Sequence, residues 1–164
     1  MVSEKVLKEL NDQVGREIFS SYLYLSMASY FDSVDLPGFA TWMKVQAKEE
    51  LGHAMRIYNF IYDRGGKVEL PGFEKPRCEW ESPLEVFENA YEHEKFVTNN
   101  IYSILEIAKQ EKDYATEEFL QWFVKEQVEE ELQVDVIMKR LQKLGDSAVG
   151  MYMLDKELGK RKDD

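Results

Sequence analysis

Apolar residues recur along most of this chain at alternating steps of three and four, the mark of helices that each bury one stripe. Leu10, Val14, Glu17, Ser21, Tyr24, Ala28 and Phe31 form the first seam and predict a helix over residues 4–32. Phe39, Met43, Gln46, Glu50, His53, Ile57 and Phe60 form the second and predict a helix over about 37–64, stopped by Gly65-Gly66. In the short turn between them, Asp35 is placed to cap the second helix and Pro37 to occupy its first turn. The two helices should therefore be antiparallel neighbours.

Residues 65–81 lack a helical period and contain three glycines and two prolines, so they read as an ordered surface crossing. At ~3.3 Å per residue this stretch reaches about 56 Å, more than the about 42 Å of a 28-residue helix. A connection of that length can return the chain to the opposite end of a bundle, which makes the third helix parallel to the second. Ser82-Pro83-Leu84-Glu85 has the form of a capping box and opens a helix to about Glu111, with Leu84, Phe87, Tyr91, Glu94, Thr98, Ile101, Leu105 and Ala108 inward. After a tight turn near Lys112-Asp113, a fourth helix runs to about Leu144 and presents Leu120, Phe123, Gln127, Glu130, Val134, Ile137, Leu141 and Leu144; Gly145 ends it. Residues 147–159 carry a short amphipathic pattern capped by Asp146 or Ser147, and the tail Gly-Lys-Arg-Lys-Asp-Asp is expected to fray. The predicted fold class is all-α: a four-helix bundle with a long crossover between its second and third helices and a short fifth helix.

The seams are interrupted at one level. Glu17 precedes Glu50 by 33 residues, Glu94 precedes Gln127 by 33, and Glu50-x-x-His53 is echoed by Gln127-x-x-Glu130. A shift of 77 residues also superposes Leu10 on Phe87, Val14 on Tyr91, Ser21 on Thr98, Ile57 on Val134 and Phe60 on Ile137. The pattern is a pseudo-repeat of two helical hairpins with a polar layer in its middle.

Composition narrows what this layer can be. A chain of 164 residues fits one domain, residues 1–164, with a core large enough to need no disulfide or structural zinc. The single cysteine, Cys78, and a start that mixes acids with bases rather than forming an apolar leader point to the cytoplasm. The longest uncharged run, Ile18 to Phe31, is 14 residues, short of the ~20 needed to span a bilayer. A net charge of −11 and a pI near 4.8 argue against nucleic acid and anionic membrane surfaces as partners, and favour cations.

Buried carboxylates cost several kcal/mol unless paired, protonated or bound to a cation. Here Glu17, Glu50, Glu94 and Glu130 converge with only His53 and Gln127, and no lysine or arginine lies on the seams at that height. A pair of divalent cations resolves the repulsion, and oxygen-rich ligation with one histidine suits iron or manganese. The i, i+3 spacing of Glu50 and His53 puts both on one helix face, about 4.5 Å apart along the axis.

Glu17, Tyr24, Glu49-Glu50-Leu51-Gly52-His53, Glu94 and Glu126-Gln127-Val128-Glu129-Glu130 together resemble the non-haem ferritins, and the resemblance covers essentially the whole chain. It implies iron storage with ferroxidase activity, driven by O2 or H2O2, in a homo-oligomeric shell of 24 subunits. In the family, positions matching Glu17, Glu50 and His53 make a first iron position, those matching Glu94 and Glu130 a second, and the one matching Glu50 bridges them. Gln127 matches a neighbour that orients water or oxygen. Glu49, Glu126 and Glu129, with Glu130 shared, match a third site. Tyr24, two turns beyond Glu17, could reach a ligand or donate an electron.

Leu51 stands where bacterioferritins carry a methionine haem ligand, so no haem is expected, and the fourth helix lacks the second histidine of bacterioferritins and rubrerythrins. Trp122 is expected to pack in the core and His93, turned about 100° from the seam, to lie on the surface. Two other readings stay open from residues alone. One is a rubrerythrin-like di-iron peroxidase or oxidase without mineral storage; the other is a non-enzymatic helical module with a hydrated polar core.

Overall fold

The computed structural model describes residues 1–163. Its helices are α1 (Glu4–Ser33), α2 (Pro37–Asp63), α3 (Pro83–Gln110), α4 (Tyr114–Leu144) and α5 (Ala148–Leu158), with no strand among the described residues. None of these helices is long and apolar enough to cross a membrane. Asp164, the last residue of the predicted tail, lies outside the described residues.

Helices α1 and α2 pack as one antiparallel hairpin and α3 and α4 as another, with α1 also against α3. Between the hairpins, residues 64–82 climb along α1: Asn11 bonds to Lys67 and Glu69 near the bottom, and Ser26 donates to the Arg77 carbonyl near the top. Trp80 then stacks edge-on against Tyr30. The crossing lies so close to α1 that a Cβ on Gly15 would come 2.3 Å from the Pro71 ring. Helix α3 therefore starts beside the start of α2, where Phe87 meets Phe39 and Phe31, and runs parallel to it. At the other end Arg64 donates to Asp113 and Thr116, clamping the end of α2 to the start of α4.

Helix starts follow local chemistry in four places and tertiary chemistry in a fifth. Ser3 accepts from the Val6 amide, Asp113 from Thr116 and Ser147 from Gly150, each satisfying an amide left over by the helix. Helix α2 is different. Asp35 does not cap it: its φ of 59° turns the chain, and the Phe39 amide instead donates to Asp155 of α5 at 2.9 Å. Gly38 makes this docking possible, because a Cβ there would fall 1.7 Å from the Asp155 carbonyl oxygen. The capping box at Ser82 is half-formed. Ser82 accepts from the Glu85 amide, but the Glu85 carboxylate is taken by the Glu81 amide and by Arg77.

The apolar interior is divided. An upper cluster includes Tyr24, Phe31, Phe39, Phe87, Val134 and Ile137; a lower one includes Leu10, Val14, Ile57, Ile101, Leu120 and Phe123. The 77-residue pseudo-repeat exchanges them, since Leu10, Val14 and Ile57 are low whereas Phe87, Tyr91 and Val134 are high. A pseudo-two-fold thus runs through the layer between the clusters, and the polar residues lie in that layer. Each fully buried large side chain contributes roughly 1.5–3 kcal/mol of transfer free energy to hold the layer in place.

Candidate metal centre

Every helix of the bundle sends carboxylates or amides into the polar layer. Glu17 (α1), Glu50 and His53 (α2), Glu94 (α3), and Gln127 and Glu130 (α4) are all buried. Their ligand atoms form three groups, each within 4.8 Å: Glu17 with Glu50 and His53; Glu50 with Glu94 and Glu130; and His53 with Glu126 and Glu130. Glu50 belongs to two groups, as do His53 and Glu130. The i, i+3 spacing on α2 brings His53 Nδ1 to 3.2 Å from Glu50 Oε2, and the same nitrogen lies 3.8 Å from Glu17. His53 Nε2 faces the other way, 3.8 Å from Glu126 and 3.9 Å from Glu130.

The third helix and its partners complete the layer. Tyr24 is fully buried and donates its hydroxyl to Glu94 Oε1 at 2.6 Å. Gln127 Nε2 lies within hydrogen-bonding distance of the Glu94 carbonyl, Glu94 Oε2 and Thr98 Oγ1, at 3.0 to 3.2 Å. Two buried oxygens, Glu17 Oε2 and Gln127 Oε1, have no hydrogen-bond partner among the described residues. Orphaned acceptors in an otherwise closed layer are costly, and both are the kind of atom a cation would satisfy.

Without a cation the layer manages its charge by protonation. Burial, reinforced by neighbouring acids, pushes Glu50 up to about 7 and Glu94 to about 8, and holds Glu130 well above the carboxylate range. Burial opposes a charged His53, yet the surrounding carboxylates of Glu126, Glu17 and Glu50, the last within hydrogen-bonding distance, outweigh it and raise the imidazole far above its ordinary value. The nearby His53 in turn lowers Glu126. Burial and the adjacent Glu94 and Glu50 keep the Tyr24 phenol protonated. Donors of this kind, carboxylates with one imidazole, suit a hard or borderline divalent ion such as Fe(II) or Mn(II).

Residues 7–149 match the ferritin-like domain model. The chain belongs to the ferritin family. It is 42% identical over 161 residues to the bacterial non-haem ferritin of Staphylococcus aureus, covering 98% of this chain and 97% of that one. The relative from Bacteroides fragilis is also 42% identical, over 98% of this chain and all of its own. Among solved structures, an engineered closed form of the Archaeoglobus fulgidus ferritin superposes with a TM-score of 0.99 at 52% identity, with full coverage of both chains. The open-pore ferritin of the same archaeon gives 0.98 at 52% identity, over 99% of each chain.

Against the ferritin expectation, the acids matched to a third site are only partly assembled. Glu126 joins His53 and Glu130, but Glu49 pairs with Arg161 at 3.1 Å and Glu129 is exposed and in no group. All three line one cleft of about 450 Å³ that opens beside His53. Trp122 packs against the lower core cluster, as expected, and its other side is a wall of that cleft. Its ring meets His53 edge-on at 5.5 Å and lies 3.8 Å beneath the Arg56 guanidinium.

His93 is not a surface histidine. It is half-buried, its Nε2 lies 2.7 Å from Ser20 Oγ, and rings of Phe19, Tyr24 and Phe96 surround it. Burial lowers its pKa to about 4, so it stays neutral at pH 7. A residue 100° off a seam still reaches the interior where a neighbouring helix packs on that side, as α1 does on α3 here.

Two further glutamines serve the layer. Gln13 and Gln46 are fully buried. Gln13 donates to Glu17 Oε1 at 3.1 Å, while Gln46 donates to Glu50 Oε1 at 2.9 Å and to Glu130 Oε2 at 2.6 Å. Each stands one helical turn before the carboxylate it serves, and that i, i+4 spacing to a buried glutamate is the signal that identifies them. Nor does the tail fray at Arg161, which packs against α2.

Proposed function

We propose that this chain stores iron and oxidises it on entry, as a ferroxidase in a shell of 24 copies working in the cytoplasm. The observation that carries the reading is a buried layer in which Glu50 links two ligand groups and Glu17 Oε2 and Gln127 Oε1 are left as free acceptors, within a ferritin bundle. Fe(II) is the substrate. Glu17, Glu50 and His53 would hold one ion and Glu94 and Glu130 the other, with Glu50 between them. Gln127 would turn its free oxygen towards water or the oxidant.

Binding requires the carboxyls raised by burial to lose their protons, so the ions replace protons as the layer's compensating charge. Each Fe(II) then gives up one electron. Dioxygen takes an electron pair and two protons and leaves as hydrogen peroxide, or hydrogen peroxide takes the same and leaves as water. The chain's contribution is to set the spacing of the ions, keep positions open and exclude bulk water. Tyr24, bonded to Glu94, orients that carboxylate and is placed to supply an electron. The cleft beside His53, with Glu126, Glu129 and Glu49 on its walls, is the route by which a third ion or the ferric product would pass towards the mineral. Leu51 offers no donor to iron, and the reading involves no haem.

Metal-free protein mixed anaerobically with Fe(II) and then exposed to air should oxidise about two Fe(II) per subunit rapidly and go on to retain many more. Glu17→Ala and His53→Ala should each abolish the rapid phase. An unchanged rapid phase in both would end the assignment. Sizing the same sample separates a shell of many subunits from a dimer, and a dimer with rapid turnover but no retained iron would favour a peroxidase or oxidase instead.

A further inference from the structure

The end of the chain returns to the metal centre. Arg161 lies beyond α5, yet its side chain is only 14% exposed. Its guanidinium sits 4.2 Å over the Trp42 ring, and Nη1 donates to the Trp42 carbonyl at 3.2 Å. Nη2 donates to Gln46 Oε1 at 2.9 Å and lies 3.1 Å from Glu49 Oε2. Gln46 passes this contact inward, because its Nε2 bonds to Glu50 on α2 and to Glu130 on α4. Among the described residues it is the one side chain hydrogen-bonded to layer carboxylates of both helices.

A primary amide has one accepting end and one donating end. With Arg161 on the acceptor, Gln46 can present only N–H groups to the two carboxylates. Turned over, it would set its carbonyl against two acids and its N–H groups against the guanidinium, a loss at both ends. Gln127 provides the contrast, since among the described residues its Oε1 has no hydrogen-bond partner.

We propose that Arg161 is a positioning residue for Fe(II) oxidation: through Gln46 it fixes the placement of Glu50 and Glu130, the two carboxylates shared between ligand groups. The inference rests on the ferroxidase reading and adds that the site is complete only when the C-terminal segment is docked on α2. A guanidinium is suited to this task because its planar fork spans Trp42, Gln46 and Glu49 at once.

The test uses assembled shells of Arg161→Met, Gln46→Met and the double variant. Two quantities are read: the rate of the rapid Fe(II) phase, and the anaerobic affinity for Co(II) followed by its visible absorption. Each single variant should lower both by about tenfold, the usual cost of removing a group that orients a metal ligand. The double variant should be no worse than the worse single one, because both act on the same carboxylates.

The proposal is overturned if Arg161→Met stays within about twofold of the parent in both readouts, or if its loss persists in full on the Gln46→Met background, as a merely structural anchor would. Should Arg161→Met not assemble, Arg161→Lys takes its place with the same expectations, since it keeps a cation near Trp42 but not the fork. A parent protein with no rapid phase would overturn the ferroxidase reading itself, a result distinct from any of these.

Discussion

The two sides of the polar layer hold the same number of helices but neutralise their acids differently. On the α1–α2 side, Glu17 and Glu50 face the His53 imidazole, whose raised pKa makes it a resident cation. On the α3–α4 side, Glu94 and Glu130 have no basic partner of their own hairpin. They are raised to about 8 and well above the carboxylate range, and their company is Tyr24, Gln46 and Gln127. An incoming ion thus displaces a charged imidazole and the Glu50 proton on one side, and carboxyl protons alone on the other. The difference arises because the pseudo-repeat places Gln127 and Glu130 where the first hairpin has Glu50 and His53. On the proposed reading, the nitrogen donor and shared Glu50 would make the histidine side the tighter position, and the all-oxygen side beside Gln127 the looser one from which product would leave.

Removing the residue that both sides share has the largest expected effect. Glu50→Ala should take the rapid Fe(II) phase to background and leave no tight site, whereas Glu94→Ala should leave about one tight ion per subunit on the histidine side. Anaerobic calorimetry with Co(II) counts the sites, and equal losses in the two variants would show that the sides are not separable. Next, Gln127→Glu should make the looser side hold metal more tightly and slow repeated turnover while sparing the first. Stopped-flow mixing with successive Fe(II) additions reads this, and unaltered recovery between additions would remove Gln127 from the account of product release.

Acidity offers a smaller but cleaner contrast. Glu50 and Glu94, at about 7 and about 8 in the fold, hold protons that an unfolded chain, with glutamates near ~4.3, has already released. Their contribution to stability is therefore full below the unfolded value and lost as pH rises through about 7 and 8. The raised His53 acts in the same direction. The melting temperature of metal-free protein should fall between pH 6 and 9, and saturating Mn(II) should remove or reverse the fall, because the ion prefers the deprotonated layer. A flat profile without metal would contradict protonation of Glu50 and Glu94 in the layer. Tyr24→Phe should have the smallest effect, about 1 kcal/mol of metal-free stability for one buried hydrogen bond, with a slower rapid phase. Denaturant melts with and without Mn(II) measure it, and a loss confined to the metal-bound state would assign Tyr24 to the ions rather than to Glu94.

Much of this is legible in the sequence alone. Seam residues such as Leu10, Val14, Ile57, Phe87, Ile101 and Phe123 are buried, because a 3.6-residue period leaves one stripe that can only face the interior. Glu17, Glu50, His53, Glu94, Gln127 and Glu130 stood out for the same reason, as polar residues in places where burial is expensive. The long crossover was legible from its length and its lack of period. Asp155 as the acceptor for the start of α2, His93 against Ser20, and the docking of Arg161 were not. Those contacts join residues 116, 73 and 115 positions apart, and no spacing within one helix encodes them.

The sequence by itself determined that four acids, one imidazole and one amide meet at a single height in a ferritin bundle, because helical period and hairpin length are local properties of the chain. Tertiary structure alone decided how those acids are oriented and which of them are spoken for. Arg161 pairs with Glu49 on the wall of the cleft and turns Gln46 towards Glu50 and Glu130, while among the described residues Gln127 Oε1 and Glu17 Oε2 have no hydrogen-bond partner. Hydrogen bonds depend on distance and angle between groups that only packing brings together, and so the spacing of residues locates the centre while the fold sets its chemistry.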